Sequence, residues 1–298
     1  MTRRAAAAAL GALLVGCAGT PAPTASPSPS ASPTPSATAP TSPPAVAPSP
    51  SPTPFAAVTK PVLFTSPRQL ATTLLAAERA IRSASTPAAQ LPGWGRDQQR
   101  AYRQLVTQPE WRAPVRAALP AELRPAFDAN VLAGTELRAA TAPRPALPAW
   151  RIVPAPPAAE LRRYYDEAQR RHGIHWTYLA AIHLVETRMG RLRGTSTAGA
   201  QGPMQFLPST WAQYGQGDIN DPRDAILSAA RYLVVRGGRQ DIARGLRGYN
   251  PTEHYVRAVS AYARVMQADA RAHLGYHHWQ VYYRLASGDV VLEVGYRG

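Results

Sequence analysis

The chain has 298 residues, 33 Lys+Arg against 18 Asp+Glu for a formal charge of +15, 31 prolines and one cysteine. Such a length allows one or two domains with a sizeable core. One cysteine excludes an intramolecular disulfide framework and a cysteine-rich zinc site. No apolar run reaches the roughly 18 to 20 residues that a bilayer span needs.

At the N-terminus, Arg3 and Arg4 precede an apolar run from Ala5 to Val15. The run is too short to span a bilayer and has the form of a signal-peptide core. It ends in Leu14-Val15-Gly16-Cys17, which resembles the lipobox of bacterial lipoproteins, where the signal is removed before the cysteine and the thiol is acylated. The resemblance makes 1–16 a signal peptide and Cys17 a lipid anchor; an ordinary secretory signal is the alternative. From 17 to 54 the chain reads as a disordered linker, with no charged residue between 18 and 54 and 13 of the 31 prolines. Its composition cannot bury enough apolar surface to offset the entropy of ordering. At about 3.1 Å per extended residue the tether reaches on the order of 100 Å. Lys60 is the only lysine, so the basic excess reads as the arginine bias of a GC-rich genome. No nucleic-acid-binding motif accompanies it, and no nucleic-acid partner is expected. A basic surface suits anionic wall polymers or lipid headgroups.

Residues 55–150 read as a helical block. Ser66-Pro67 is a cap followed by a first-turn proline, and Leu70, Leu74, Leu75 and Ile81 make an apolar stripe. Gln98–Gln108 and Glu122–Ala140 are further helices, and no catalytic pattern stands out among them. The Pro-rich stretch from Pro143 to Pro157 marks a boundary. Beyond it, Ala158–Arg171 is an amphipathic helix stopped by Gly173, and Trp176–Met189 is a helix closed by Gly190. The second helix is apolar nearly all round, which predicts burial. Its only acidic residue, Glu186, shares a stripe with Leu179, Ile182 and Met189. Two readings stand. An unpaired buried carboxyl holds its proton and can act as a general acid. Alternatively, Glu186 pairs with Arg188, Arg191 or His183 at the helix end.

After a tight Gly202-Pro203 turn, Met204 and Phe206 point into an apolar region and Ser209 caps the next helix. Asp221-Pro222 opens a further helix with a core face of Ile226, Ala229, Ala230 and Leu233, which leaves Asp218, Asp221 and Asp224 as turn and cap residues. Gly248-Tyr249-Asn250-Pro251 turns the chain before a helix over Thr252–Gln267. Two alternating runs, Trp279–Leu285 and Val290–Tyr296, joined by Ala286-Ser287-Gly288-Asp289, predict a β-hairpin. Tyr276, Trp279, Tyr282 and Tyr283 offer stacking faces for sugars, although half of a hairpin's aromatics face a core in any case. The seven histidines form no HExxH pattern, and His183, three residues before Glu186, reads as a neighbour of the acid. The stretch from Gly217 to Asp221 lacks the ligand spacing of an EF-hand loop. No metal or cofactor is expected.

Three motifs in order resemble the soluble lytic transglycosylases, a family with a lysozyme-like helical fold that cleaves peptidoglycan glycan strands. Glu186-Thr187 stands where the family has Glu-Ser, Gly202-Pro203-Met204-Gln205 where it has Gly-Leu-Met-Gln, and Gly248-Tyr249-Asn250 where it has Ala-Tyr-Asn. The run from Gln201 to Trp211 has a form common in members from high-GC Gram-positive bacteria. The resemblance covers residues 158–270. It implies a mainly α chain: a helical N-terminal block, a lysozyme-like domain over 155–276 and a β-hairpin over 277–298. It implies Glu186 as the catalytic acid, with Thr187, Met204, Gln205, Tyr249 and Asn250 on the substrate side. Tyr249 would steady the acetamido group or position Glu186, and Thr187 would support the site. A standard glycosidase needs two carboxylates, and only Glu186 has the right setting. The family mechanism then lets the substrate's N-acetyl group stabilise positive charge, while Glu186 is acid first and base second, closing a 1,6-anhydro ring on N-acetylmuramic acid. The expected protein is a monomeric, exported, lipid-anchored enzyme on the outer face of the cytoplasmic membrane, acting on peptidoglycan. A lysozyme-type hydrolase and a non-catalytic wall-binding lipoprotein are the alternatives.

Overall fold

The computed structural model describes residues 57–298; the signal, the tether and Cys17 lie outside the described residues. Helices dominate. Four precede the Pro-rich stretch: α1 (Pro67–Arg82), α2 (Leu91–Thr107), α3 (Arg112–Ala118) and α4 (Arg124–Ala139). Seven follow it: α5 (Ala158–His172), α6 (Trp176–Thr187), α7 (Pro208–Tyr214), α8 (Pro222–Val235), α9 (Ile242–Tyr249), α10 (Glu253–Ala268) and α11 (Ala272–His277). The strands are short: β1 (Val58–Thr59), β2 (Arg151–Ile152), β3 (Leu192–Arg193), β4 (Val281–Leu285) and β5 (Gly288–Leu292).

The starts follow local chemistry. The Ser66 hydroxyl accepts from the Gln69 amide ahead of α1, and Asp221 does the same for Asp224 ahead of α8. Asp218 accepts from the Asn220 amide and Asp224 from that of Asp218, so all three carboxylates serve turns and caps. α5 stops at Gly173, whose φ is 73°. Three expected helix starts move, each at a proline. α2 starts at Leu91 rather than Gln98, with Pro92 in its first turn. The stretch expected as Glu122–Ala140 opens with a 3-10 turn, and the α-helix begins only at Arg124, ahead of Pro125. α7 begins at Pro208 with Leu207 as its cap, so Ser209 sits inside the first turn and caps nothing. Proline lacks an N–H and fits only where a helix leaves its first donors unpaired.

α6 is the axis of the core. Every residue in it except Tyr178 is buried, and it packs against α5, α8, α10 and α11. Fully burying Leu179, Ile182 and Leu184 stabilises by about 1.5–3 kcal/mol each. The N-terminal helices join the same core, α4 along α10 and α2 along α11. One continuous apolar cluster runs from Phe64 to Trp279, and the described residues, 57–298, belong to one compact unit.

The hairpin pairs Val281 with Leu292 through Leu285 with Gly288, around a two-residue Ala286-Ser287 turn. This is tighter than the four-residue link expected. Asp289 enters β5 because Arg103 and Arg138 hold its carboxylate at 2.5 and 3.2 Å. The strands are not alone. β1 adds to the outer side of β5, with Val58 opposite Leu292, giving the order β1-β5-β4. The segment between Pro143 and Pro157 is a bonded strap: Arg144 exchanges backbone hydrogen bonds with Arg284 and Ala286, Ile152 with Tyr296 and Gly295, and β2 pairs with β3.

Candidate active site

The site begins where α6 ends. The helix stops at Thr187, two residues before the expected Met189, because the Thr187 side chain draws the chain into a turn. Its hydroxyl accepts from the Gly190 amide and donates to the Pro203 carbonyl at 2.6 Å. Arg188 and Met189 follow with φ of 53° and 59°. Two consecutive left-handed non-glycine residues cost on the order of 1–2 kcal/mol each, and such strain clusters at functional sites.

Glu186 is 1 % exposed. Its Oε1 accepts from the Tyr255 hydroxyl at 2.8 Å, and its Oε2 has no partner among the described residues. Burial pushes the carboxyl well above the usual carboxylate range, against a smaller opposing pull from the Tyr255 hydrogen bond. None of the expected ion-pair partners meets it. Arg188 donates to the Leu184 carbonyl. His183 is not beside the acid: its Nδ1 lies 2.7 Å from the Tyr165 hydroxyl, and burial holds its pKa down to about 3. Positions three apart on a helix differ by about 60° in direction, and here that turn sends His183 toward α5. Of the two readings of Glu186, the ion pair is not formed among the described residues, and the carboxyl stands buried with Tyr255 as its hydrogen-bond partner.

The Gly202-Pro203-Met204-Gln205 segment is a four-residue loop closed by reciprocal backbone bonds between Gln201 and Phe206. Gly202 has a φ of 73°, and a Cβ there would lie 1.9 Å from the Ile219 carbonyl oxygen, so no other residue fits. Gln205 is itself left-handed, with a φ of 49°. Its Nε2 donates to the Gly202 and Gly194 carbonyls, while its Oε1 is buried without a partner. Phe206 is plain core, with its ring 5.8 Å from that of Tyr249.

Tyr249 does not hold Glu186. Its hydroxyl donates to the Met204 carbonyl, fastening α9 to the loop. The residue on the acid is Tyr255, whose ring stacks beside that of Tyr249 at 6.3 Å with planes 4° apart. The Asn250 Oδ1 accepts from the Thr252 amide and hydroxyl, and Thr252 caps α10, the helix that carries Tyr255. Gly248 stands where a Cβ would meet the Arg236 side chain at 2.5 Å, which accounts for glycine where the family pattern has alanine. The structure thus links Thr187, Met204, Gln205, Tyr249 and Asn250 through one relay of bonds and stacking that ends on Glu186. All five are buried.

A cavity of about 90 Å³ opens against Glu186, Val185 and Arg188. α2 and α4 supply its opposite wall, with Tyr102, Arg103, Asn130 and Arg138, and the strap and hairpin add Arg144, Trp150, Tyr283 and Arg284. Of the described residues in the lining, Glu186 is the one carboxylate and the one residue of the three motifs. A wider groove of about 560 Å³ adjoins this cavity, sharing Arg103, Arg138, Tyr282 and Arg284. Sequence reasoning missed both Tyr255 and this wall. Tyr255 carried a usable signal, since it shares a helical stripe with Val259 and Tyr262. The wall carried none, because only the fold brings α2 and α4 to Glu186.

Among the described residues no helix is long and apolar enough to cross a membrane. No three His, Cys, Asp or Glu side chains among them are grouped to hold a metal.

Residues 192–246 match the family model of the transglycosylase SLT domain. The match holds the Gly202–Gln205 loop, beginning after Glu186 and ending before Tyr249. The chain is 40% identical over 76 residues to the membrane-bound lytic murein transglycosylase F of Thiobacillus denitrificans, covering 26% of this chain and 16% of that protein. It therefore spans about a sixth of the length of that relative. No solved structure matches the chain. Both matches are partial, and they make this part of the chain similar to lytic transglycosylases: residues 192–246 to the SLT domain, and 76 residues to that relative.

Proposed function

We propose that the protein is a peptidoglycan lytic transglycosylase that cleaves the β-1,4 bond between N-acetylmuramic acid and N-acetylglucosamine with Glu186 as its single acid and base. The observation that carries this reading is the Glu186 carboxyl: buried, held on one oxygen by Tyr255, and, among the described residues, unpartnered on the other oxygen in a lining with no second carboxylate. A carboxyl kept neutral at neutral pH donates its proton to the leaving sugar oxygen. The missing second carboxylate points to the substrate's acetamido oxygen as the group that stabilises charge at C1. Glu186, now a carboxylate, then takes the proton of the C6 hydroxyl, whose oxygen closes on C1. Water is not consumed. The Tyr255 hydroxyl stabilises Glu186 in this charged phase. Gln205, with an unpartnered Oε1, is the motif residue best suited to accept a hydrogen bond from a sugar. Thr187, Met204, Tyr249 and Asn250 act by holding the loop and helix ends in place.

The relative's membrane-bound description, the N-terminal signal pattern and Cys17 support an exported protein anchored by lipid at the cell envelope. Mass spectrometry of digested peptidoglycan tests the chemistry. Anhydro ends, each lighter than a reducing end by one water, are expected from the wild type and not from Glu186→Gln. Hydrated ends alone would make it a lysozyme-type hydrolase, and equal absence of products from both chains would leave a wall-binding lipoprotein.

A further inference from the structure

The cavity beside Glu186 has an unusual charge. Among the described residues, five arginines line it, Arg103, Arg138, Arg144, Arg188 and Arg284, against the one carboxyl of Glu186, whose pKa burial raises. Asp289, at its edge, neutralises Arg103 and Arg138. The other three have no carboxylate partner among the described residues. Arg188 is 7 % exposed, touches only the Leu184 carbonyl through Nη1, and forms no ion pair among the described residues. Arg144 has a buried Nη2 without a partner, and Arg103 a buried Nε without one. Arg284 donates to the Arg138 and Thr141 carbonyls only.

Burying an unpaired guanidinium costs several kcal/mol. Burial lowers the Arg188 pKa to about 10, which still leaves it cationic at neutral pH. A fold that holds such a charge against a cavity, and not against packed side chains, leaves the counter-charge to a ligand. The planar guanidinium fork fits a carboxylate through two parallel hydrogen bonds. Size narrows the ligand further. About 90 Å³ holds roughly half a dozen water-sized groups, which suits a lactyl group and falls well short of a hexose. The aromatic faces of Trp150, Tyr262 and Tyr283 give a methyl group its apolar wall.

We propose that this arginine-lined cavity binds a carboxylate of the muramic acid unit of the glycan and so selects which sugar stands at Glu186. Peptidoglycan strands alternate two sugars, and only muramic acid bears a lactyl ether. A pocket that reads that group beside the acid fixes the strand's register, so that C1 of muramic acid, and not of glucosamine, meets Glu186. This rests on the function proposed above. The carboxylate comes either from an unsubstituted lactyl group or from an attached stem peptide.

Titration calorimetry on the full chain carrying Glu186→Gln, which binds without turnover, separates the cases. The ligands are an alternating tetrasaccharide with free lactyl carboxylates, its lactyl methylamide, the peptide-bearing strand and chitotetraose. The free acid is expected to bind about tenfold tighter than the methylamide and chitotetraose, the loss of one charge-assisted fork. Arg188→Met and, independently, Arg144→Gln are expected to remove that advantage while leaving chitotetraose within about twofold. A peptide-bearing strand that binds as well as the free acid assigns the pocket to the peptide's own carboxylate. Equal affinity for acid and methylamide, or an advantage that survives both substitutions, overturns the proposal. If that happens while the wild type still releases anhydro ends, only the pocket assignment fails. No glycan binding and no products would sink the proposed function with it. A probe free of that reading is D-lactate, expected to raise the wild-type Tm above that in chloride of equal ionic strength and to leave Arg188→Met unmoved.

Discussion

The two sides of Glu186 are built on opposite principles. On the motif side, Thr187, Met204, Tyr249 and Asn250 spend their polar groups on one another's backbone, and the Gly202–Gln205 loop is closed by reciprocal bonds. On the other side, Arg188 and Arg144 line the cavity with no ion-pair partner among the described residues, while Arg103 of α2 and Arg138 of α4 share the single carboxylate of Asp289. Apart from the Gln205 Oε1, the first side satisfies itself; the second leaves guanidinium groups without a counter-charge among the described residues. On the function proposed above, the contrast assigns most motif residues to holding Glu186 and its loop still, and leaves recognition to Gln205 and to residues outside the motifs.

Glu186→Gln should break the motif side most completely. General acid–base catalysis contributes about 10²–10⁴-fold, so product release should fall at least that far, with the Tm preserved because an amide carries no proton to lose. Acid comes next. Burial lowers the pKa values of His183 and His273 to about 3, and that of His278 to about 4. The unfolded chain protonates them near 6.5, so it binds more protons between those limits. Their stabilising contribution is full above about pH 6.5 and drains as pH falls toward 3, by up to roughly 1.4 kcal/mol per pH unit for each group. Urea midpoints at pH 7, 5.5 and 4.5 should fall in that order; a flat series would mean that these imidazoles find water or partners. Thr187→Val should cost about 1–3 kcal/mol, because it leaves the Pro203 carbonyl and the Gly190 amide unpaired inside the protein. Thr187→Ser should restore most of that Tm. Smallest is Tyr255→Phe, which deletes the hydrogen bond that favours the charged carboxyl. We expect roughly a tenfold loss in kcat, with KM little changed and the limb of the pH profile that reports Glu186 displaced upward. A fall in kcat with no displacement of that limb would make Tyr255 a packing residue.

Legibility in the sequence followed the range of the cause. α6 could be read because its apolar residues surround it and its neighbours in sequence end it; Asp221, Ser66 and Gly173 declared helix ends through bonds within a few residues. Ser209 misled because a nearby Leu207-Pro208 pair had already set the start of the helix. Glu186 was visible as one acid in an apolar stripe, but its partner was not, since Tyr249 and Tyr255 look alike in sequence and differ only in which carbonyl or carboxylate the fold presents to them. Arg103, Arg138 and Arg144 looked like ordinary basic residues of an arginine-rich chain. Only the packing of α4 on α10, and of the strap on the hairpin, brings them to the acid.

The pairing of Val58-Thr59 with Val291-Leu292 has a bearing on how the molecule is made. Contacts that far apart in sequence form slowly, because a long loop must close before any pairing offsets its entropy. The helices around α6 need no such closure and are expected to condense first. The wall that Tyr282, Tyr283 and Arg284 complete must wait for β4 and β5. Folding is therefore expected to pass through a stage that has Glu186 in place and no finished cavity around it.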